Sequence, residues 1–173
     1  ALTEKGKEEA IRIIETTELK NDRVLVVYLP DCHESLAGII AGRIREKYHR
    51  PAFVLTGGET SAKGSGRSIE SYSMYEELVK CADLMIQFGG HPMAAGLSIE
   101  EKNIEEFRRR LNVNCTLTDE ELRPKIVIDV PMPVSYITKG LVEQISLLEP
   151  FGKGNTKPVF AQKNLRVLDH SII

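Results

Sequence analysis

The sequence predicts an α/β domain, with α+β as the alternative. Three observations carry that prediction. Compact β-rich runs, "RVLVVYL" and "AFVLT", alternate with amphipathic segments. Glycine- and proline-marked breaks separate them. The order that results is a leading helix and then β-α-β-β-α-β-α, ending near Asn112.

The elements follow in order. "TEKGKEEAIRIIETTE" sets Ala10, Ile11, Ile13 and Ile14 among charges, the pattern of an amphipathic helix. Residues 23–29 form a buried strand closed by Pro30. In "PDCHESLAGIIAGRIREKYHRP", Asp31 and Glu34 are spaced like a capping box, with Asp31 as the cap. Leu36, Ile40, Ile44 and Tyr48 then recur along one helix face, and Ala37, Gly38, Ala41 and Gly42 keep a neighbouring strip slim enough to approach a sheet. Pro51 closes this helix and "AFVLT" is the second strand. "AKGSGRS" has too little to bury and reads as a loop, strand-like only at its end. "SMYEELVKCADLM" is a short helix with Ser73 or its neighbour as cap; "FGGHPMAAGLSIE" is glycine-rich, then extended. "EKNIEEFRRRLN" is a helix with Ile104, Phe107, Arg108 and Leu111 on one face. The polar "VNCTLTDEELRP" breaks the pattern. After it come a strand "KIVIDV", one helix, a Pro/Gly-rich loop and one or two strands ending in the apolar "SII". A terminal strand of this kind needs partners, so the expectation is a segment of a longer protein.

At 173 residues, 42% apolar and 28% charged, the chain has the composition of a soluble globular protein rather than a disordered one. No apolar run reaches bilayer length, and the residues before the first helix show no basic-then-apolar pattern. Cys32, Cys81 and Cys115 are far apart and odd in number, which speaks against a disulfide framework or zinc site and for a reducing cytoplasm. Net charge is −2, yet residues 41–70 carry +3 and the remainder −5. A localised anion site and an exposed helix face both fit this distribution.

Three stretches carry chemistry. In "KGSGRS", Gly64 and Gly66 leave backbone N–H groups open to an oxyanion, Ser65 and Ser68 add hydroxyls, Arg67 a planar fork and Lys63 a mobile charge. A plain tight turn is the other reading. In "FGGHPMAAGL", His91 stands on backbone that approaches something closely, beside Gly90. It can donate to a phosphate, act as a general acid, ligate a metal, or simply hold structure. In "DCHESLAGIIAGR", His33 and Glu34 fall at a helix N-terminus that favours anions; Arg43 is either a separate anion contact or solvated. No DxD, DHH or paired-carboxylate spacing is present, so the chain has residues to hold a phosphate but none grouped to bind the metals that cut one. No metal ligand is assigned.

Together, "HESLAGIIAGRIREKYHRP", "KGSGRSI" and "FGGHPMAAGLSI" resemble the DHH-associated domain of the RecJ family, bacterial single-strand-specific 5′→3′ DNA exonucleases. "LEPFGKGNTKPVF" resembles the segment that opens their OB-fold. The chain departs where Cys32 replaces an aromatic residue and Ser35 a glycine. The resemblance implies a mixed β-sheet flanked by helices, followed by a truncated strand-helix-strand start of an OB-fold. It divides the chain into the end of a connector helix (1–17), the substrate-binding domain (18–112), a linker (113–123) and the OB segment (124–173). It further implies single-stranded DNA, 5′-phosphorylated, as partner, with Ser65 and Arg67 gripping the 5′ phosphate or nearby backbone; the chemistry of the stretches themselves adds Lys63, Gly64, Gly66, Ser68, Gly90, His33 and Arg43 as candidate phosphate contacts. His91 is implied to face the scissile phosphate in a supporting catalytic role. Mn²⁺ or Mg²⁺ is implied for the full-length enzyme, held by an upstream DHH domain and not by this segment, which alone is expected to be inactive.

Overall fold

Strands β1 (Leu25–Leu29) and β2 (Ala52–Thr56) run parallel, Leu25 opposite Ala52 through Leu29 opposite Thr56. A parallel pair requires a crossover, and helix α2 (Glu34–Tyr48) supplies it. β3 (Ala62–Arg67), β5 (Ala94–Ile99) and β4 (Met85–His91) then add antiparallel strands in the order β1-β2-β3-β5-β4. This computed structural model describes residues 2–152 and 154–166. The expected mixed sheet flanked by helices is what it contains. Two segments read from the sequence as loops are strands: "AKGSGR" is β3, inside the sheet, and "FGGH" belongs to β4 at its edge.

The glycines of β3 explain that difference. A Cβ at Gly66 falls 2.6 Å from both Phe53 and Met74, and one at Gly64 falls 3.1 Å from Leu97 and 3.2 Å from Leu55. Large neighbours fill the space that these residues leave, so the strand is buried although it brings little apolar bulk of its own. On this face, α3 (Met74–Val79) and α4 (Ile104–Asn114) cover the sheet with Met74, Leu78, Phe107 and Leu111. Phe107 meets Phe53 edge to face at a centroid distance of 5.4 Å. Helix α1 (Leu2–Thr16) and α2 cover the opposite face, where Ala10, Ile14, Ile40 and Ile44 pack on Val27 and Val54.

Helix α2 begins at Glu34, and its cap is His33, whose Nδ1 accepts from the Ser35 N–H at 3.2 Å. Asp31, expected in that role, lies two residues too early. The N-terminal end of β1 is tied to α4 by Asn112. Its Oδ1 accepts from the N–H groups of Arg23 (2.9 Å) and Val24 (3.0 Å), and its Nδ2 donates to the carbonyls of Val24 and Arg108. Arg108 also grips Asp22 with two hydrogen bonds. Residues 113–123, read from the sequence as a linker, lie on the same core: Leu117 is buried and Arg23 pairs with Asp119 at 2.6 Å.

The chain divides between Pro124 and Lys125 into two units. In the second, β6 (Val130–Pro131) pairs in parallel with β7 (Phe160–Ala161), and between them α5 (Lys139–Ser146) starts from the cap Thr138. Asn155 gathers the loop before β7 by donating to the carbonyls of Leu148 and Pro150. The terminal "SII" lies outside the described residues. Among the described residues no helix is long and apolar enough to cross a membrane.

Two substitutions test these constraints by thermal or denaturant unfolding. Asn112→Ala strands two backbone N–H groups and is predicted to cost about 1–3 kcal/mol; wild-type stability would show that water satisfies them. Gly66→Ala overpacks the Phe53–Met74 contact and is predicted to cost about 1–3 kcal/mol as well.

Candidate functional site

The strand register decides which side chains share a face. Side chains alternate along a strand, so residues directly opposite one another in the ladder point the same way. Three rows cross β3, β5 and β4 on the face that carries α2: Lys63–Ser98–Gln87, Ser65–Gly96–Gly89 and Arg67–Ala94–His91. Helix α2 lies over β2 and β3. Beyond it lies a cleft of about 540 Å³, lined by Glu34, Ser35 and Ala37 on one side and by the Lys63–Ser98–Gln87 and Ser65–Gly96–Gly89 rows on the other, with the Arg67–Ala94–His91 row beside it.

Arg67 and His91 end the same row, two strand spacings or about 10 Å apart along the sheet. The Arg67 guanidinium donates to Ser65 Oγ (3.1 Å) and to the Gly66 carbonyl (2.7 Å), which aims it across the strand. Among the described residues no carboxylate lies within ion-pair distance of it. It fits under α2 because residue 38 is glycine: a Cβ there would stand 2.7 Å from Arg67 Nη2 and 3.0 Å from Ser65 Oγ.

His91 stands at the tip of the β4–β5 hairpin. Gly90 precedes it at φ +148°, where a Cβ would lie 2.4 Å from the Ala94 carbonyl, so this turn requires glycine. The tip is anchored: the Met93 carbonyl accepts from Ser68 N–H (2.9 Å) and the Pro92 carbonyl from Met74 N–H (3.0 Å). The Nδ1 of His91 accepts from Met93 N–H at 3.3 Å. That bond places the proton of the neutral ring on Nε2, where it can be donated outward.

Several residues expected at an anion site have other work. Gly64 and Gly66 turn toward the core and their backbone groups belong to a strand laddered on both sides. Their N–H groups do not form an open cradle. Ser68 is buried and its hydroxyl donates to the Tyr72 carbonyl. His33 caps α2 and lines a separate hollow against α1 with Cys32 and Leu36. Arg43 pairs with Glu46 at 3.2 Å, further along α2 and outside the cleft. Lys63 does line the cleft, but Glu34 answers its charge at 3.3 Å. Glu34 also occupies the first turn of α2, so the positive end of that helix faces its own carboxylate. Burial pushes the Cys32 thiol up, away from thiolate character, so the Cys32–His33 neighbours are no nucleophile pair.

Gln87, Ser98 and Gly96 line the cleft without having been singled out from the sequence. The only signal available was their alternation around "GGH", which becomes meaningful once the register is known. Among the described residues, no three His, Cys, Asp or Glu side chains gather to hold a metal ion.

A family model described as the DHHA1 domain matches residues 21–116, and one described as the RecJ OB domain matches residues 128–173. The chain is 35% identical over 161 residues to the single-stranded-DNA-specific exonuclease RecJ of Bacillus subtilis, covering 91% of this chain and 20% of that protein. It is 33% identical over 175 residues to RecJ of Escherichia coli, covering 95% and 30%. Among solved structures, RecJ of Thermus thermophilus in complex with Mn²⁺ gives a TM-score of 0.71 at 28% identity, covering 92% of this chain and 24% of that one. The chain thus spans less than a third of the length of the curated relatives it matches. With the DHHA1 match lying over the five-stranded sheet and the RecJ OB match over the second unit, this chain belongs to the RecJ family.

Proposed function

We propose that this chain is the strand-gripping part of a 5′→3′ exonuclease specific for single-stranded DNA, working in repair and recombination in the bacterial cytoplasm. The observation that carries the reading is the Arg67–His91 row. An arginine fork without a carboxylate partner among the described residues and an imidazole with Nε2–H turned outward stand about 10 Å apart on one open face. Guanidinium forks hold phosphate oxygens in pairs, and the Ser65 hydroxyl beside Arg67 adds a third donor. In this reading the Arg67–Ser65 end grips a 5′-terminal phosphate. His91 faces the next phosphate along the strand, the scissile one, where donors aimed at developing negative charge favour the transition state.

The DHH domain of the same polypeptide holds Mn²⁺ or Mg²⁺ and closes the cleft from the other side. RecJ of Thermus thermophilus has been solved in complex with each of these ions. The OB segment extends the path of the strand. The RecJ OB match favours this assignment over other DHH-type phosphoesterases acting on oligoribonucleotides or cyclic dinucleotides.

Two measurements test the reading. Arg67→Ala is predicted to weaken binding of a 5′-phosphorylated oligodeoxynucleotide by about 1–3 kcal/mol, and of its 5′-hydroxyl counterpart by less. Equal affinities in wild type and variant would sink the phosphate grip. The purified 173-residue chain is predicted to release no mononucleotides from 5′-phosphorylated single-stranded DNA in the presence of Mn²⁺. Metal-dependent release would place catalysis within this segment.

A further inference from the structure

The cleft beside the Arg67–His91 row differs from that row in charge. Lys63 is its cation, and Glu34 neutralises it at 3.3 Å. Arg67 has no such counter-charge among the described residues. A dianionic phosphate is therefore drawn to Arg67, and the cleft next to it suits a polar but uncharged group.

Its polar lining is arranged for such a group. Gln87 and Ser98 are opposite one another on β4 and β5, on the open face, with side chains about 5 Å apart at Cβ. Neither side chain makes a hydrogen bond within the described residues. An amide offers both a donor and an acceptor, and a hydroxyl does the same, so the pair can match the edge of any nucleobase by rotation. That tolerance is what a nuclease indifferent to sequence requires.

Between this pair and Arg67 the floor is flat. Gly96 and Gly89 are opposite each other in the ladder. A Cβ at Gly89 would meet nothing within 4 Å, and one at Gly96 only the Gly64 carbonyl oxygen at 3.8 Å. Neither has the positive φ that demands glycine. Packing within the chain does not need their bareness; a sugar or a ring lying on the peptide planes does. From the Arg67 row to the Gln87 row the strands rise about 13 Å, a span that one nucleotide fills from its phosphate to the far edge of its base. The volume of about 540 Å³ lies within the range of small-ligand sites.

We infer that this cleft is a pocket for the terminal nucleoside of the bound strand, with Gly96 and Gly89 as its floor and Gln87 and Ser98 hydrogen-bonding the base. The inference rests on the phosphate grip proposed above. It makes Gln87 and Ser98 binding residues for the base and leaves the phosphates to Arg67 and His91.

The test uses the full-length protein without divalent metal, so that the strand is not consumed. Two 5′-phosphorylated oligodeoxynucleotides are compared, identical except that the terminal residue of one is abasic. Wild type is expected to bind the abasic strand roughly tenfold more weakly. The double variant Gln87→Ala/Ser98→Ala is expected to bind the intact strand about tenfold more weakly, and to lose nothing further on the abasic one, because the two deletions remove the same contact. Gly96→Val is expected to keep the wild-type thermal midpoint and to lose binding of the intact strand. Arg67→Ala is expected to weaken both strands alike. If Arg67→Ala binds both as wild type does, the phosphate grip fails and the pocket with it. If Arg67→Ala weakens both while the double variant still prefers the intact strand as wild type does, or if wild type itself shows no preference, the nucleoside pocket alone is overturned.

Discussion

Strand β3 alternates two kinds of residue, and both the core and the cleft depend on that alternation. Gly64 and Gly66 face the core, where Phe53, Leu55, Met74 and Leu97 occupy the space that side chains would otherwise take. Lys63, Ser65 and Arg67 face the other way. A one-residue slip would drive an arginine and a lysine into the core and two glycines into the cleft, an exchange far costlier than any hydrogen bond it could add. The same register aligns Arg67 with His91 through Ala94 of the strand between them, and Gln87 with Ser98 on neighbouring strands. Core packing thus places the polar rows of the site.

Helix α2 sets the boundary of the site. Its slim strip lets it lie close to β2 and β3, and Gly38 leaves room for the Arg67 guanidinium beneath it. It does not extend over β5 and β4, so the sheet stays open there. Its first turn also tunes the charge of the opening. The exposed Glu34–Lys63 pair contributes at most about 1 kcal/mol to stability, too little to explain its place by folding alone. Its larger effect is to cancel the cation of the cleft, while Arg67 in the neighbouring row has no carboxylate partner among the described residues.

Much of this was legible in the sequence. The periodicities of α1, α2 and α4 and the apolar runs of β1 and β2 mark elements whose buried side chains announce themselves. The motifs around Arg67 and His91, and the family resemblance they carry, were also present in the order of residues. The character of β3 was not, because a strand that buries glycines contributes no apolar bulk to the pattern; its burial is supplied by residues of other elements. For the same reason "FGGH" reads as a loop, although it is the edge strand that brings His91 into line.

The sequence by itself determined the residue types available to hold a phosphate, the mixed α/β class, and the absence of a clustered carboxylate spacing. Tertiary structure alone decided which of those residues meet. It turned Ser68 inward to the Tyr72 carbonyl, gave His33 to the cap of α2, and left Arg43 to Glu46. It brought Gln87, Ser98 and Gly96, which no motif had marked, into one cleft. The physical reason is that a side chain's direction on a strand is fixed by the ladder it pairs with. The partners in that ladder are remote in the chain, as Lys63 is from Ser98 and Arg67 from Ala94, so no local pattern of residues records them.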